Sequence, residues 1–354
     1  MVNARLSEPR WSGVNVPKDI RVRIFRFLKT GGILENLVLV HYQEKTSTKL
    51  ADAMRRVFLF RSCATQNMKD LMPGIIHEAR RFIKATSAPS RNDRGKNSRG
   101  LHWFCIAGWD RNNKELPAPS IWHEANRETI LMYFGETRIF RQLTDYGCAL
   151  LRKVFPKVAA RYEACINKMD QEYNIKTPFG LFFNFCLNGT WSPDVPRVMC
   201  KPHIDFKNIA LGVCMVFVYG HFNHKEKCWL VIWEAGVALE LPPGVFVIYP
   251  SSLFLHFNVD RESIRVVVTK GDAPTPENSL PLNDPKKCGS CGNTDPSHVN
   301  DWKEAAGRGS MVWFNQATLF QTAELGYNTV KQARADGAKT KCNLEAVDMY
   351  DTIW

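Results

Sequence analysis

Apolar positions change their rhythm along the chain, and each change predicts a different kind of element. In the N-terminal third, Ile20, Val22 and Ile24 alternate with charged residues ahead of Thr30-Gly31-Gly32, the two-residue period of a half-buried strand. A further apolar stretch runs from Ile33 to Tyr42. Lys49 to Phe60 reads as an amphipathic helix after Ser47 and Thr48, and a second helix is predicted over Gly74 to Lys84. The segment Ala88 to Gly100, APSRNDRGKNSRG, carries four basic residues and almost nothing apolar, and then LHWFCIAGW begins. That is a basic loop entering a buried strand, either as a solvated connection or as a nucleic-acid contact.

From Glu124 to Tyr173 the pattern turns helical, with Ile139, Leu143, Cys148, Leu151 and Val154 spaced three to five apart. Between Gly180 and Lys270 it changes again, to eight short candidates rich in β-branched and aromatic residues and separated by turn signals. They are Leu181–Leu187, Arg197–Lys201, Ile209–Val218, Cys228–Trp233, Val237–Leu241, Val245–Tyr249, Leu253–Asn258 and Ser263–Lys270. Eight strands in about ninety residues is the count of a jelly roll, whose two facing sheets leave a pocket between them. The predicted class is α+β, a jelly-roll core braced by helices, with a basic mixed N-terminal region.

Composition narrows the picture. With 45% hydrophobic and 23% charged residues, 22 Gly and 19 Pro, the chain lies outside the disordered, collagenous and coiled-coil classes. Its 354 residues allow two compact units or one elaborated one. No apolar run approaches the roughly 18 residues of a membrane span, and MVNARLSEPRW lacks a secretory leader, so neither insertion nor secretion is expected. Eleven cysteines, an odd number scattered through apolar stretches, point to a reducing compartment.

The formal net charge of +12 is carried by one part of the chain. Residues 1–100 hold 20 Lys+Arg against 8 Asp+Glu, whereas the remainder is balanced at 27 against 27. Such asymmetry favours a polyanionic partner, a nucleic acid or an anionic membrane surface, with a solubilising face as the alternative reading.

Candidate chemistry begins in KPHIDFKN. His203 and Asp205 are separated by one residue, so on a strand they point to the same face and can share one metal. His256, in PSSLFLHFN, follows Asp205 by 51 residues and lies on a strand that a jelly roll can bring alongside. Two imidazoles and one carboxylate are the ligand set of non-haem Fe(II) oxygenases, which leaves three coordination positions open. The competing reading makes His256 a satisfied core histidine and Asp205 a turn residue.

Arg265, nine residues past His256 within IRVVV, needs an anion if it is buried. The distal carboxylate of 2-oxoglutarate would fit its guanidinium fork. The alternatives are pairing with Glu262 or snorkelling to an edge, and Arg261 competes for the role. Cys288 and Cys291 in KKCGSCGNTDPSH form half a zinc site, with His298 and Cys342 as nearby ligand candidates and free thiols as the alternative.

HxD, the PPG turn leading into VFVIYPSSLFLH, and an Arg on the next strand resemble the 2-oxoglutarate/Fe(II) dioxygenases with a double-stranded β-helix core. His203-Ile-Asp205-Phe-Lys-Asn208 is similar to the HxDxxN of the TET/JBP nucleobase dioxygenases. The flanking KPHIDFKNIALGVCMVFVYGHF and GRGSMVWFNQATLFQTAELGYNTV resemble the fungal branch of that family, and the resemblance spans roughly residues 180–335.

It implies Fe(II) on His203, Asp205 and His256, 2-oxoglutarate reaching Arg265, and Asn208 lining the pocket for a flipped base. The implied reaction converts 5-methylcytosine in DNA to 5-hydroxymethylcytosine, and in its extended form to formyl and carboxyl products. Family members often carry a His or Tyr past the 2-oxoglutarate Arg, where this chain reads VVVTKGDA. That leaves Asp272 either to accept from an exocyclic amine or to stand in an exposed turn. Phe206 and Trp191 are candidates to stack on the base.

The resulting plan has a DNA-gripping N-terminal region over 1–125, bracing helices over 126–175, the catalytic core over 176–275 and an extension with the CxxC over 276–354. The expected partner is DNA with modified bases and not a membrane. A monomer is expected, nuclear by its substrate and otherwise cytoplasmic. The rival readings are an AlkB-like or other 2-oxoglutarate dioxygenase acting on N-methylated bases, protein or a small molecule, and an inactive jelly-roll binding module.

Overall fold

The computed structural model describes residues 6–86, 99–112, 114–190, 197–265, 267–269, 279–281 and 307–342. Fourteen strands are formed among them: β1 Val38–Val40, β2 Thr48–Ala51, β3 Val57–Arg61, β4 Trp103–Asp110, β5 Ala118–Pro119, β6 Asn184–Gly189, β7 Cys214–Tyr219, β8 Trp229–Ile232, β9 Val237–Leu239, β10 Phe246–Tyr249, β11 His256–Val259, β12 Val267–Thr269, β13 Ser279–Pro281 and β14 Gly309–Phe314. The helices are α1 Lys18–Lys29, α2 Gln66–Ala85, α3 Ile121–Ala125, α4 Arg127–Tyr133, α5 Ile139–Val154, α6 Pro156–Tyr173, α7 Ala317–Leu325 and α8 Val330–Ala335.

The larger sheet has the order β2-β3-β10-β7-β14-β6-β4-β5 and the smaller one β1-β9-β8-β11. From β6 onward the chain winds between them. It leaves the large sheet after β7 for β8 and β9, returns as β10, crosses again as β11 and comes back as β14. This winding makes a jelly roll. Pairing is antiparallel except for β1 with β9.

The central strands are apolar on both faces, as doubly covered strands must be. Met215, Phe217, Phe246 and Ile248 point to the helices, where they join Phe82, Phe140, Phe179, Phe185 and Trp313 in the main core. Their neighbours Cys214, Val218, Val247 and Tyr249 point inward, toward Leu230, Ile232 and Leu239 of the small sheet. A Cβ at Gly147 of α5 would collide with Met215, so that glycine sets how closely the helix lies on the sheet. The outer face of the small sheet holds Trp229, Val231, Phe257 and Val259, covered by Leu34 and by Ile24 and Leu28 of α1.

Several expectations need correction. Ile20 to Ile24 belongs to a helix, because Ile24 and Leu28, one turn apart, dock together on the small sheet. Lys49–Phe60 is not a helix but the hairpin β2–β3. The Asp52 carboxylate accepts from Met54 N and Arg56 N and Arg55 takes a left-handed φ of 60°, which turns the chain back. The helix expected over Gly74–Lys84 begins earlier, at Gln66, where the Thr65 hydroxyl caps Met68 N.

Arg197–Lys201 forms no strand; Val198 N instead donates to Arg308 O, and Lys201 N to Arg99 O. The other seven strand windows each overlap a strand, with β6, β7 and β11 running one or two residues past theirs. β14 arises beyond the span predicted for the core and still lies between β6 and β7. β2 and β3 on one side and β4 on the other continue the same large sheet, so the N-terminal region is woven into it.

Candidate active site

His203 meets β11 through a two-way backbone bridge, His203 N to His256 O at 3.2 Å and His256 N to His203 O at 3.0 Å. The two rings lie 4.2 Å apart between centroids. Each Nδ1 is held by the carbonyl two residues upstream, Lys201 O at 2.7 Å for His203 and Phe254 O at 2.9 Å for His256. Held this way, Nδ1 carries the proton and Nε2 is left as a lone-pair donor. Both Nε2 atoms face Asp205, each 3.9 Å from one of its oxygens. Asp205 is positioned by its own backbone, whose N donates to Ser251 O and whose O accepts from Asn208 N.

The donor atoms of His203, Asp205 and His256 lie within 4.8 Å of one another. Separations of 3.9 Å are too long for hydrogen bonds and of the order spanned by ligands on one ion with bonds of about 2 Å. Burial pushes the pKa of both histidines down, and for His203 the neighbouring His256 adds to the shift. Burial alone would raise the Asp205 carboxyl, but Arg99 and the two imidazoles outweigh it and hold it at about 2. Two neutral imidazoles and one carboxylate, all free of competing protons, fit a divalent ion of the Fe(II) type.

A cavity of about 340 Å³ opens on these three residues, between the sheets. Two guanidinium groups line it. Arg99 places Nη2 2.7 Å from Asp205 Oδ1. Arg308, the residue before β14, is 3% exposed and donates Nη1 to Val198 O, while its Nε has no partner among the described residues. Beside it on the wall, Asn188 Nδ2 donates to Ser310 Oγ at 3.2 Å. His102 lies behind this corner, its pKa pushed down to about 4 by burial and then by Arg308.

Tyr249 meets His256 edge-on at 5.3 Å. Elsewhere on the wall stand Asn112, Phe206, Asn208, Phe314 and Gln316. The Asn208 amide donates to Ser251 Oγ at 3.2 Å, and its backbone bridges to that of Gln316.

Arg265 is not among the lining residues. Its N donates to Leu34 O and its Nη1 sits 2.9 Å from Glu35 Oε1, with the side chain 38% exposed. The anion it was expected to need is thus a carboxylate from far upstream rather than a pocket ligand or Glu262. Arg261 is also turned away, donating to Ile264 O. Asp272, Trp191, Cys288, Cys291 and His298 lie outside the described residues. Cys342 is buried with its Sγ against Arg161.

Sequence reasoning missed Arg99, Asn188, Arg308, Ser310 and Gln316. A usable signal existed for Arg308: like Arg265, it is a lone guanidinium at the edge of an apolar run, GSMVWF.

No protein-family model and no curated protein matches the chain. Among solved structures it is similar to NgTET1 in complex with 5mC DNA, at 13% identity and a TM-score of 0.46, over 85% of this chain and 91% of that one. It is similar also to OsALKBH1, at 12% identity and a TM-score of 0.32, over 72% of this chain and 97% of that one.

Proposed function

We propose that the chain is an Fe(II)/2-oxoglutarate-dependent dioxygenase that oxidises the methyl group of 5-methylcytosine in DNA. The observation that carries the enzyme class is the convergence of His203, Asp205 and His256 at one buried point in a cavity with two arginines. The choice of base follows the HxDxxN resemblance. His203, Asp205 and His256 would hold Fe(II), which with 2-oxoglutarate and O2 supplies the power to hydroxylate an unactivated C–H bond, releasing succinate and carbon dioxide.

The chain's own part is placement. Arg308, rather than Arg265, takes the distal carboxylate of 2-oxoglutarate. It is buried in the cavity with an unmet Nε, and a desolvated guanidinium gains most from a carboxylate it can grip with two N–H groups. Ser310 and Asn188 supply neutral hydrogen-bonding groups at the same corner. Arg99 holds Asp205 ionised, so the carboxylate is a ligand at any working pH.

The base enters from the Asn208 side. Past Arg308 the chain supplies Phe314 and Gln316 on the cavity wall, an aromatic face for stacking and an amide for the base edge. The sequence past Arg265 offered only Asp272 for these tasks.

The test is mass spectrometry of nucleosides after incubating the protein with methylated duplex, iron, ascorbate and 2-oxoglutarate. Oxidised cytosine that depends on 2-oxoglutarate is expected. Loss of N-methyl groups with cytosine untouched would move the substrate to the AlkB-like class. Absence of iron and 2-oxoglutarate binding would leave a binding module.

A further inference from the structure

We infer that α1 is the duplex-docking element, laying its exposed basic face along the phosphate backbone beside the cavity; this rests on the nucleic-acid reading of that cavity. The helix reads KDIRVRIFRFLK, five basic residues against one acidic. Lys18, Arg23, Arg26 and Lys29 are exposed and make no ion pair among the described residues. Five other basic side chains of the N-terminal region are already committed. Arg56 is bound to Asp52, Lys69 to Glu44, Arg81 to Glu78 and Arg99 to Asp205, and Arg61 is buried with bonds to Val40 O, His41 O, Glu240 O and Thr48 Oγ1. Arg10, Lys45, Lys49, Arg55 and Lys84 are likewise exposed and in no ion pair among the described residues, but they are spread over turns, β2 and the end of α2, whereas four such residues stand together on α1.

Its position suits the role. Phe25 of α1 packs under Lys201, whose Nζ lies 4.9 Å from the ring centroid. The carbonyl of that same Lys201 holds the Nδ1 of His203. The helix thus stands one residue contact away from His203. At 12 residues it is about 18 Å long, enough to follow about five phosphates of one strand at 3.4 Å of axial rise each.

A basic amphipathic helix can also lie on a membrane. Here much of the apolar face that a bilayer would need is spent on the protein, since Ile24 and Leu28 pack on Trp229, Val231 and Phe257, and only Ile20 and Phe27 of the helix's large apolar residues stay exposed. What α1 offers to solvent is chiefly charge, which favours phosphates over acyl chains.

The experiment compares wild type with a variant carrying Lys18→Glu, Arg23→Glu, Arg26→Glu and Lys29→Glu. A control carries Arg152→Glu, Lys153→Glu, Lys157→Glu and Lys176→Glu, the same change of net charge on and just past α5 and α6. Affinity for a methylated duplex is read by fluorescence anisotropy over a salt series, alongside calorimetry of 2-oxoglutarate binding with iron. The α1 variant should lose at least about 100-fold in duplex affinity, and its slope of log K on log salt should flatten by about 3 to 4, at roughly 0.9 per lost phosphate contact. The control should lose far less, and 2-oxoglutarate binding should be unchanged in all three proteins.

If wild type binds the duplex and the α1 variant binds as well as the control, the inference is overturned while the nucleic-acid reading stands. If wild type binds 2-oxoglutarate but no duplex, that reading fails and the inference falls with it. Binding to phosphatidylserine vesicles that needs α1, without duplex binding, overturns it in favour of a membrane.

Discussion

The two sheets are supported in different ways. Behind the large sheet, α2, α5 and α6 bury Phe82, Phe140 and Leu151 against Phe185, Phe217 and Trp313. Behind the small sheet, among the described residues, lie Leu34, Leu37, Ile264 and α1, a helix with no fully buried residue. Yet His256 belongs to the small sheet and His203 is bridged to it. Dense packing therefore sits on one side of the cavity, and the candidate metal ligands sit against the lightly covered side, where a large substrate could approach. The large sheet holds the shape, and the small sheet offers the access.

The largest effect that would break this division of labour is chemical. His203→Ala or Asp205→Ala should reduce 2-oxoglutarate-dependent succinate release to background with the far-ultraviolet circular dichroism unchanged; retained turnover would refute the metal assignment. Next come the supports. Trp313→Ala or Phe185→Ala should cost about 3–5 kcal/mol in urea unfolding, whereas Leu28→Ala of α1 should cost about 1 kcal/mol. Equal costs would erase the contrast between the sheets.

A third measurement sharpens the contrast within the cavity. Arg308→Gln should raise the KM for 2-oxoglutarate roughly 10- to 100-fold, the scale of a lost charged hydrogen-bonding pair, and Arg265→Gln should leave it within about threefold. The reverse order would return the role to Arg265.

A further effect concerns acid. His102 titrates near 4 in the folded protein against 6.5 when free, so the unfolded chain binds the extra proton first. Stability is whole above about pH 6.5 and declines as pH falls toward 4, by roughly 2 kcal/mol at pH 5. His102→Asn should remove that part of the decline, seen as a smaller shift of the urea midpoint between pH 7 and pH 5.

What could be read from the sequence was local in nature or a matter of counting. HxD followed by a distant His within a run of short strands located the three groups that converge, although His203 and Asp205 stand on no strand and are placed by the backbone bridge of His203 to His256 and the Asp205 N–Ser251 O bond. The windows over β6, β7, β8, β10 and β11 held because their residues are rich in β-branched and aromatic types and are buried on both faces. Misreadings arose where tertiary contacts decide. Ile20-Val22-Ile24 alternates, but docking on Trp229 and Phe257 makes the segment a helix. VFLFR is buried at every position, and a continuous apolar run of that kind carries no period by which strand and helix can be told apart. Arg308 stands 43 residues beyond Arg265 across a long polar segment, and only the insertion of β14 between β6 and β7 brings it into the cavity.

Both imidazoles are oriented by main-chain carbonyls two positions upstream, and main-chain atoms cannot be deleted by substitution. Any residue may stand at 201 or 254 and the same oxygen remains to fix the ring. The coordination geometry is therefore encoded in the path of the polypeptide, so the ligating nitrogens can survive extensive drift of the letters around them.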